Sequence, residues 1–288
     1  MEKFARRLSS IDRLEMKTRI ARTCRELGWQ SLVGRLLKPG VSAGDLRVAE
    51  VGCGTGTFSL TLNFLGMNTT LIDADEEALM VAKKTYAMYH RTAALVQADV
   101  VRPVPPALKN RFDVVLSRGL AEHFKGRERA KCFSFHKELL GEHGIACISV
   151  PNRLSVSYQA VRMLRQATGT WRIALEQPFT YWELMRCARN AGFSGSGVIG
   201  NLPLLQDMRE HAFGLASAVL DVLPARVRRM LHRVFRSGQH AAGRDEECIV
   251  LDAAERAQKR QPPSRGRSLK DYLSAGIVLF GYADKRFS

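Results

Sequence analysis

The run Arg47-Val-Ala-Glu-Val-Gly-Cys-Gly-Thr-Gly-Thr57 constrains the fold of this chain more than any other segment. A short apolar stretch reaches an acid, three glycines follow at alternating positions, and a helix-compatible run comes next. Glycine is needed where the backbone turns sharply or lies against a ligand with no Cβ between them. Between a strand and a helix, such glycines mark the first turn of a doubly wound parallel sheet, the place where ligands bind. The spacing departs from the dinucleotide fingerprint, whose third glycine would fall where Thr57 stands. The Gly-Lys-Ser/Thr ending of a phosphate-gripping loop is missing too. The loop predicts a ligand that is not held by its phosphates.

Acids elsewhere sharpen that expectation. Thr69-Thr-Leu-Ile-Asp73 reads as a second strand ending in a carboxylate, and Ala94-Leu-Val-Gln-Ala-Asp99 as a third. A carboxylate about twenty residues past the loop accepts hydrogen bonds from ribose hydroxyls. Glu50, Asp73 and Asp99 would line one rim, repelling phosphates and favouring a cation that carries an adenosine. S-adenosylmethionine fits that description. The motifs Glu50-Val-Gly-Cys-Gly-Thr-Gly56, Leu71-Ile-Asp-Ala-Asp75, Gln97-Ala-Asp99, Phe112-Asp-Val-Val-Leu-Ser117 and Ile148-Ser-Val-Pro-Asn152 occur in order. Across residues 44–152 the chain resembles the class I S-adenosylmethionine-dependent methyltransferases.

The resemblance implies an α/β, doubly wound, Rossmann-like sheet of seven mostly parallel strands with the last antiparallel. It also implies a cofactor site made of Glu50, Gly52, Cys53, Gly54, Gly56, Asp73, Ala74, Asp99, Val100 and Ser117. In it Glu50 would hold the methionine amine region, Asp73 the ribose and Asp99 the adenine amino group. The alternative for each acid is the capping of a following helix, and Asp75, just before Glu76-Glu77, is expected to do only that. Cys53 is read as a small residue tolerated in the loop, not as a nucleophile.

Composition bounds the rest. With 288 residues, 45% of them apolar, the chain can bury a substantial core. The strand–helix alternation predicts residues 41–202 and 271–288 as one domain, 1–40 as an N-terminal helical cap, and 203–270 as a basic helical insertion and linker. Ile11, Leu14, Ile20, Cys24 and Leu27 fall at roughly helical spacing in the cap. Six cysteines without a Cys-x-x-Cys pair suit a reduced, cytoplasmic setting and argue against a metal site. No apolar run reaches spanning length.

The formal net charge is +16, a field that attracts nucleic acid, anionic membranes or anionic substrates. Alternatively it reflects only solvated arginines. Residues 225–236 interleave Val227, Met230, Leu231, Val234 and Phe235 with five arginines. Such a helix packs on its own domain, lies peripherally on an anionic membrane surface or lipid, or follows a phosphate backbone. Arg256–Lys270, with six basic residues, no acid and Pro262-Pro263, reads as an exposed linker.

Chemistry is expected just past the fourth strand, at Ser117-Arg-Gly-Leu-Ala-Glu-His-Phe124. Glu122-His123 resembles the Glu-His pair of many small-molecule methyltransferases, with His123 as general base. Arg118 would clamp an anionic group of the substrate or pair with an acid. Tyr158, Trp171, Tyr181 and Trp182, concentrated in an aromatic-poor chain, either form a substrate lid or fill ordinary core positions. The expected activity is methyl transfer to a small lipophilic or anionic metabolite, at oxygen in the first place, with nitrogen and carbon as the alternatives. The rivals are an RNA-directed methyltransferase and a non-catalytic cofactor-binding scaffold.

Overall fold

A computed structural model describes residues 12–171, 176–201, 245–259, 274 and 276–283. Seven strands form one sheet: β1 (Arg47–Val51), β2 (Asn68–Asp73), β3 (Ala94–Gln97), β4 (Phe112–Arg118), β5 (Leu140–Pro151), β6 (Gly195–Gly200) and β7 (Gly276–Tyr282). Their order is β3-β2-β1-β4-β5-β7-β6. The first five run parallel, and β7 pairs antiparallel with both β5 and β6. This is the Rossmann-like, doubly wound α/β arrangement with one reversed strand. Its order reverses at β1, so the carboxyl ends of β1 and β4 bound the crevice where such sheets hold ligands.

Period-2 alternation sends neighbouring strand residues to opposite faces. Val48, Val114, Ile145 and Val278 join one core with Trp29, Leu60 and Tyr86. Ala49, Val115, Ala146 and Leu279 join the other with Phe133, Phe179 and Leu184. On the first face lie α1 (Arg13–Arg25), α2 (Leu27–Leu36), α3 (Thr57–Phe64), α4 (Glu76–Ala87) and α8 (Glu246–Lys259); on the second lie α5 (Gly126–Leu139) and α7 (Tyr181–Asn190). The remaining described helix, α6 (Val156–Ala167), has no fully buried side chain.

Local signals start these helices. Asp12, Asp75, Ser155 and Thr180 cap α1, α4, α6 and α7 by accepting a backbone N–H two or three residues on. Asp75 therefore does the capping expected of it. The buried stripe of α1 is Met16, Ile20, Thr23 and Cys24, whereas Leu14 is 63% exposed and leaves the expected apolar face. Trp29 anchors α2, its indole N–H donating to Thr61 Oγ1 of α3 at 2.7 Å.

Two expectations need correction. The glycines of Gly141-Glu-His-Gly144 read in sequence as the turn before the fifth strand, but β5 already starts at Leu140. Phe112 pairs with Leu140 and Val114 with Ile145, so two steps on β4 face five on β5, and the excess bulges out at the glycines. Nor is Arg256 part of an exposed linker. It lies in α8, whose Val250, Ala253, Ala254 and Ala257 pack into the core on the α1–α3 side. The amphipathic run 225–236 lies outside the described residues. Among those described, no helix is long and apolar enough to cross a membrane, and all six cysteines are free.

Candidate active site

The glycine turn joins β1 to α3. Gly52, Gly54 and Gly56 all have positive φ, at 63°, 51° and 65°, a region closed to most other residues. They serve different ends. A Cβ on Gly52 would stand 2.7 Å from Leu120 Cδ1, while one on Gly54 would meet nothing within 4 Å. Gly54 thus faces open space at the end of β1. A cleft of about 840 Å³ lies around Asn68, Thr70 and Ala94 at the amino ends of β2 and β3. We favour the glycine turn, because parallel sheets hold ligands at the carboxyl ends of their strands.

The acids of the rim are part of the turn's own scaffold. Asp73 Oδ2 accepts from Gly54 N at 3.1 Å, and Oδ1 accepts from Asp75 N at 3.1 Å. Each oxygen retains a lone pair for a ligand hydroxyl. Glu50 is buried and its Oε2 accepts from the N–H (3.0 Å) and hydroxyl of Ser59 in the first turn of α3. Burial raises its pKa, against the bonds from Ser59 and the charge of Arg118. Cys53 is buried, and burial together with the fields of Glu50 and Asp73 pushes its thiol far up. It is no thiolate at neutral pH. Asp99 is half-buried and accepts from Val101 N at 3.0 Å, beside buried Val100. Ala74 is exposed, its carbonyl accepting from Gln97 Nε2 at 3.2 Å.

At the end of β4 two predicted side chains are engaged elsewhere. Ser117 is turned inward, its Oγ 2.9 Å from Nε2 of buried His136, whose Nδ1 lies 2.7 Å from the Cys132 carbonyl. Burial lowers the His136 pKa to about 4, so the ring is neutral. Only the backbone of Ser117 is left for the rim. Arg118 bonds Thr23 Oγ1 at 3.0 Å and Glu26 Oε1 at 3.2 Å. Glu26 is 5% exposed, and a buried carboxylate requires a counter-charge. The anion clamp gives way to a pin that holds the α1–α2 corner over the sheet.

Beyond Gly119 the chain makes a 3₁₀ turn, Ala121–His123, that buries Glu122 and leaves His123 half-buried. A Cβ on Gly119 would lie 3.4 Å from Glu122 Oε1, so this carboxyl sits against the backbone that ends β4. Burial is the main reason its pKa rises, to about 8, and Glu176 pushes the same way while Arg129 opposes.

Glu176 is carried by an extended segment crossing the ends of β4 and β5. Gln177 N donates to the Glu122 carbonyl (2.9 Å), Phe179 N to that of Pro151 (3.0 Å), and Arg153 N to that of Phe179 (2.8 Å). Tyr158 on α6 faces Glu176, and burial together with that carboxyl pushes the phenol pKa far up, although its hydroxyl makes no hydrogen bond of good geometry. Glu122 and Tyr158 thus both border Glu176. Trp171 lies under the Arg162 guanidinium, 5.9 Å away, and Arg162 donates to the Glu176 carbonyl. Tyr181 opens α7 and meets Trp182 edge-on at 6.2 Å. Sequence reasoning missed Glu26, His136 and Glu176 because none stands in a motif. Glu176 does sit in the aromatic-rich segment, the one signal that pointed its way.

Residues 48–144 match the family model described as a methyltransferase domain. A ribosomal protein L11 methyltransferase from Thermotoga neapolitana is 33% identical over 111 residues, 38% of this chain and 40% of that protein. A second such protein from the same species is 32% identical over 111 residues. The chain thus spans 40% of the length of these curated relatives. Among solved structures, one from Thermotoga maritima is described as an S-adenosylmethionine-dependent methyltransferase and possible histamine N-methyltransferase. It is 15% identical, with a TM-score of 0.51 over 92% of this chain and 91% of that one, a likeness of fold.

Proposed function

We propose that this chain, which carries a class I S-adenosylmethionine-dependent methyltransferase domain, transfers a methyl group to a heteroatom of a small organic acceptor. S-adenosylmethionine is the cofactor of that family, and the residues present fit it. Gly54 carries the reading: it is held in a left-handed conformation, open to space, with Asp73 bonded to its N–H. Glu50, Asp73 and Asp99 stand at the ends of β1, β2 and β3, where amine, ribose and adenine would need acceptors.

When bound, the cofactor supplies a methyl group on a sulfonium; the acceptor's lone pair forms the new bond while the old bonding pair stays on sulfur. The protein's part is to hold the acceptor in line and to take its proton. Proximity of that kind is worth roughly 7–11 kcal/mol at best. His123, next to the end of β4, is the base in this reading. Glu122, with its raised pKa, is mostly protonated at neutral pH and is not suited to that role.

Oxygen is the atom expected from the sequence, and nothing in the described site selects it over nitrogen. The anionic acceptor loses its local support, since Arg118 is engaged by Glu26. Membrane contact through 225–236 stays part of the proposal without a described structure behind it. So does the division into cap, domain and insertion, although α8, inside the expected insertion, packs into the domain core beside α1, α2 and α3.

Two measurements test the reading. Calorimetry with S-adenosylhomocysteine should give saturable one-to-one binding. Incubation with methyl-labelled cofactor and a cell extract should place label in a small-molecule fraction. Label in nucleic acid or protein, or no cofactor binding, overturns it.

A further inference from the structure

Three polar atoms beside the end of β4 are buried and lack hydrogen-bond partners among the described residues: Glu122 Oε2, Glu176 Oε2 and the Tyr158 hydroxyl. Glu122 is only 3% exposed. A buried carboxyl oxygen without a donor keeps the full cost of its desolvation, and native proteins rarely leave such atoms unmatched. They come from three different parts of the chain, the turn after β4, the strap at 176–180 and α6, with Glu176 beside both Glu122 and Tyr158.

The nearby cations do not neutralise them. Arg129 is bonded to the Phe124 and Gln177 carbonyls and to Glu183. Arg162 donates to the Glu176 carbonyl and covers Trp171. Among the described residues no salt bridge reaches Glu122 or Glu176.

We infer that this cluster is the acceptor-binding pole of the enzyme and that the acceptor is a small cationic amine, whose ammonium is anchored by Glu122, Glu176 and Tyr158 while a different heteroatom, with its lone pair free, takes the methyl group. This deepens the methyltransferase reading and rests on it. The site adjoins the cofactor turn, since Gly52 packs on Leu120 and Glu122 on Gly119. An ammonium brings both a positive charge and up to three N–H donors, matching three acceptor atoms. An anion would be repelled, and a neutral alcohol would satisfy a single acceptor and leave the charge uncompensated. Glu122, protonated in the free protein, would give its proton to solvent when the cation arrives. Trp171, under Arg162 at the same strap, offers an aromatic wall nearby.

The test uses the full chain saturated with S-adenosylhomocysteine. Methylammonium to butylammonium chlorides are titrated against alcohols of the same chain length, with potassium chloride holding ionic strength constant, and ligand-observed NMR reads binding. At least one ammonium should bind saturably and at least tenfold more tightly than its alcohol. Glu122→Gln should weaken it at least fivefold, with cofactor-product affinity held within twofold. Should Glu122→Gln lose its fold, Glu176→Gln and Tyr158→Phe carry the same comparison. Absence of saturable ammonium binding, equal binding of alcohol and ammonium, or wild-type binding in every variant overturns the inference. Failure of S-adenosylhomocysteine itself to bind would instead sink the methyltransferase reading, so the two failures are distinguishable.

Discussion

The Glu122 carbonyl accepts the backbone N–H of Gln177 at 2.9 Å, which brings Glu176 to the side chain of Glu122 across a gap of more than fifty residues. Through that bond, and through Arg129 bridging the Phe124 and Gln177 carbonyls, the turn after β4 and the strap before α7 form a single polar wall. The wall stands at the carboxyl end of the sheet, beside the glycine turn.

Glu122→Gln should raise thermal stability in the free protein, and more so at pH 8.5 than at pH 5. The carboxyl ordinarily titrates near 4.5 but is raised to about 8 in the fold. The native state therefore binds more protons than the unfolded one between those values, and stability falls as pH rises through that window. Scanning calorimetry of both proteins at the two pH values checks this. A variant less stable than wild type at pH 8.5 would show that Glu122 has a partner when ionised.

His136 acts in the opposite sense. Its pKa drops from 6.5 to about 4 in the fold, so the unfolded chain binds more protons in that interval and stability is lost on acidification from 6.5 towards 4. The full effect across that interval is worth about 3 kcal/mol. His136→Gln should flatten the acid limb of the stability profile, whatever it does at pH 7. Urea denaturation of both proteins between pH 4 and pH 7 reads the difference.

Gly54→Ala and Gly52→Ala should fail differently. At Gly54 a Cβ meets nothing, so the cost is backbone strain of about 1 kcal/mol and the fold survives. Affinity for S-adenosylhomocysteine should nonetheless fall at least tenfold, because the methyl enters the ligand's space. At Gly52 the methyl strikes Leu120 at 2.7 Å, and the loss should appear first in the melting temperature.

Arg118→Ala should loosen the N-terminal helices. It strips buried Glu26 of its cation, an effect of about 1–3 kcal/mol once the partial exposure of the arginine is discounted. Amide exchange in α1 and α2 should accelerate more than in β4. Adding Glu26→Gln should restore much of the protection, because no unpaired charge then remains.

His123→Ala should leave cofactor binding intact and lower turnover at least tenfold on an accepted substrate. Unchanged kcat would remove it as the base.

The succession of strands and helices along the chain, the glycine turn, the acids at the ends of β1, β2 and β3 and the cap at Asp75 were all legible in the sequence. These depend on local chemistry: glycine where φ is positive, a carboxylate beside exposed N–H groups, and apolar residues alternating with period two. What tertiary structure decided was the partner of each charged side chain. Nothing near Arg118 in sequence says that it faces Glu26, ninety-two residues away, nor that Ser117 turns inward to His136. The Gly141–Gly144 bulge likewise depends on its register against β4. Ion pairs, buried hydrogen bonds and the wall formed by Glu122, Glu176 and Tyr158 arise between segments that meet only once the sheet is assembled. Their energies depend on burial and distance, and neither exists until the chain has folded.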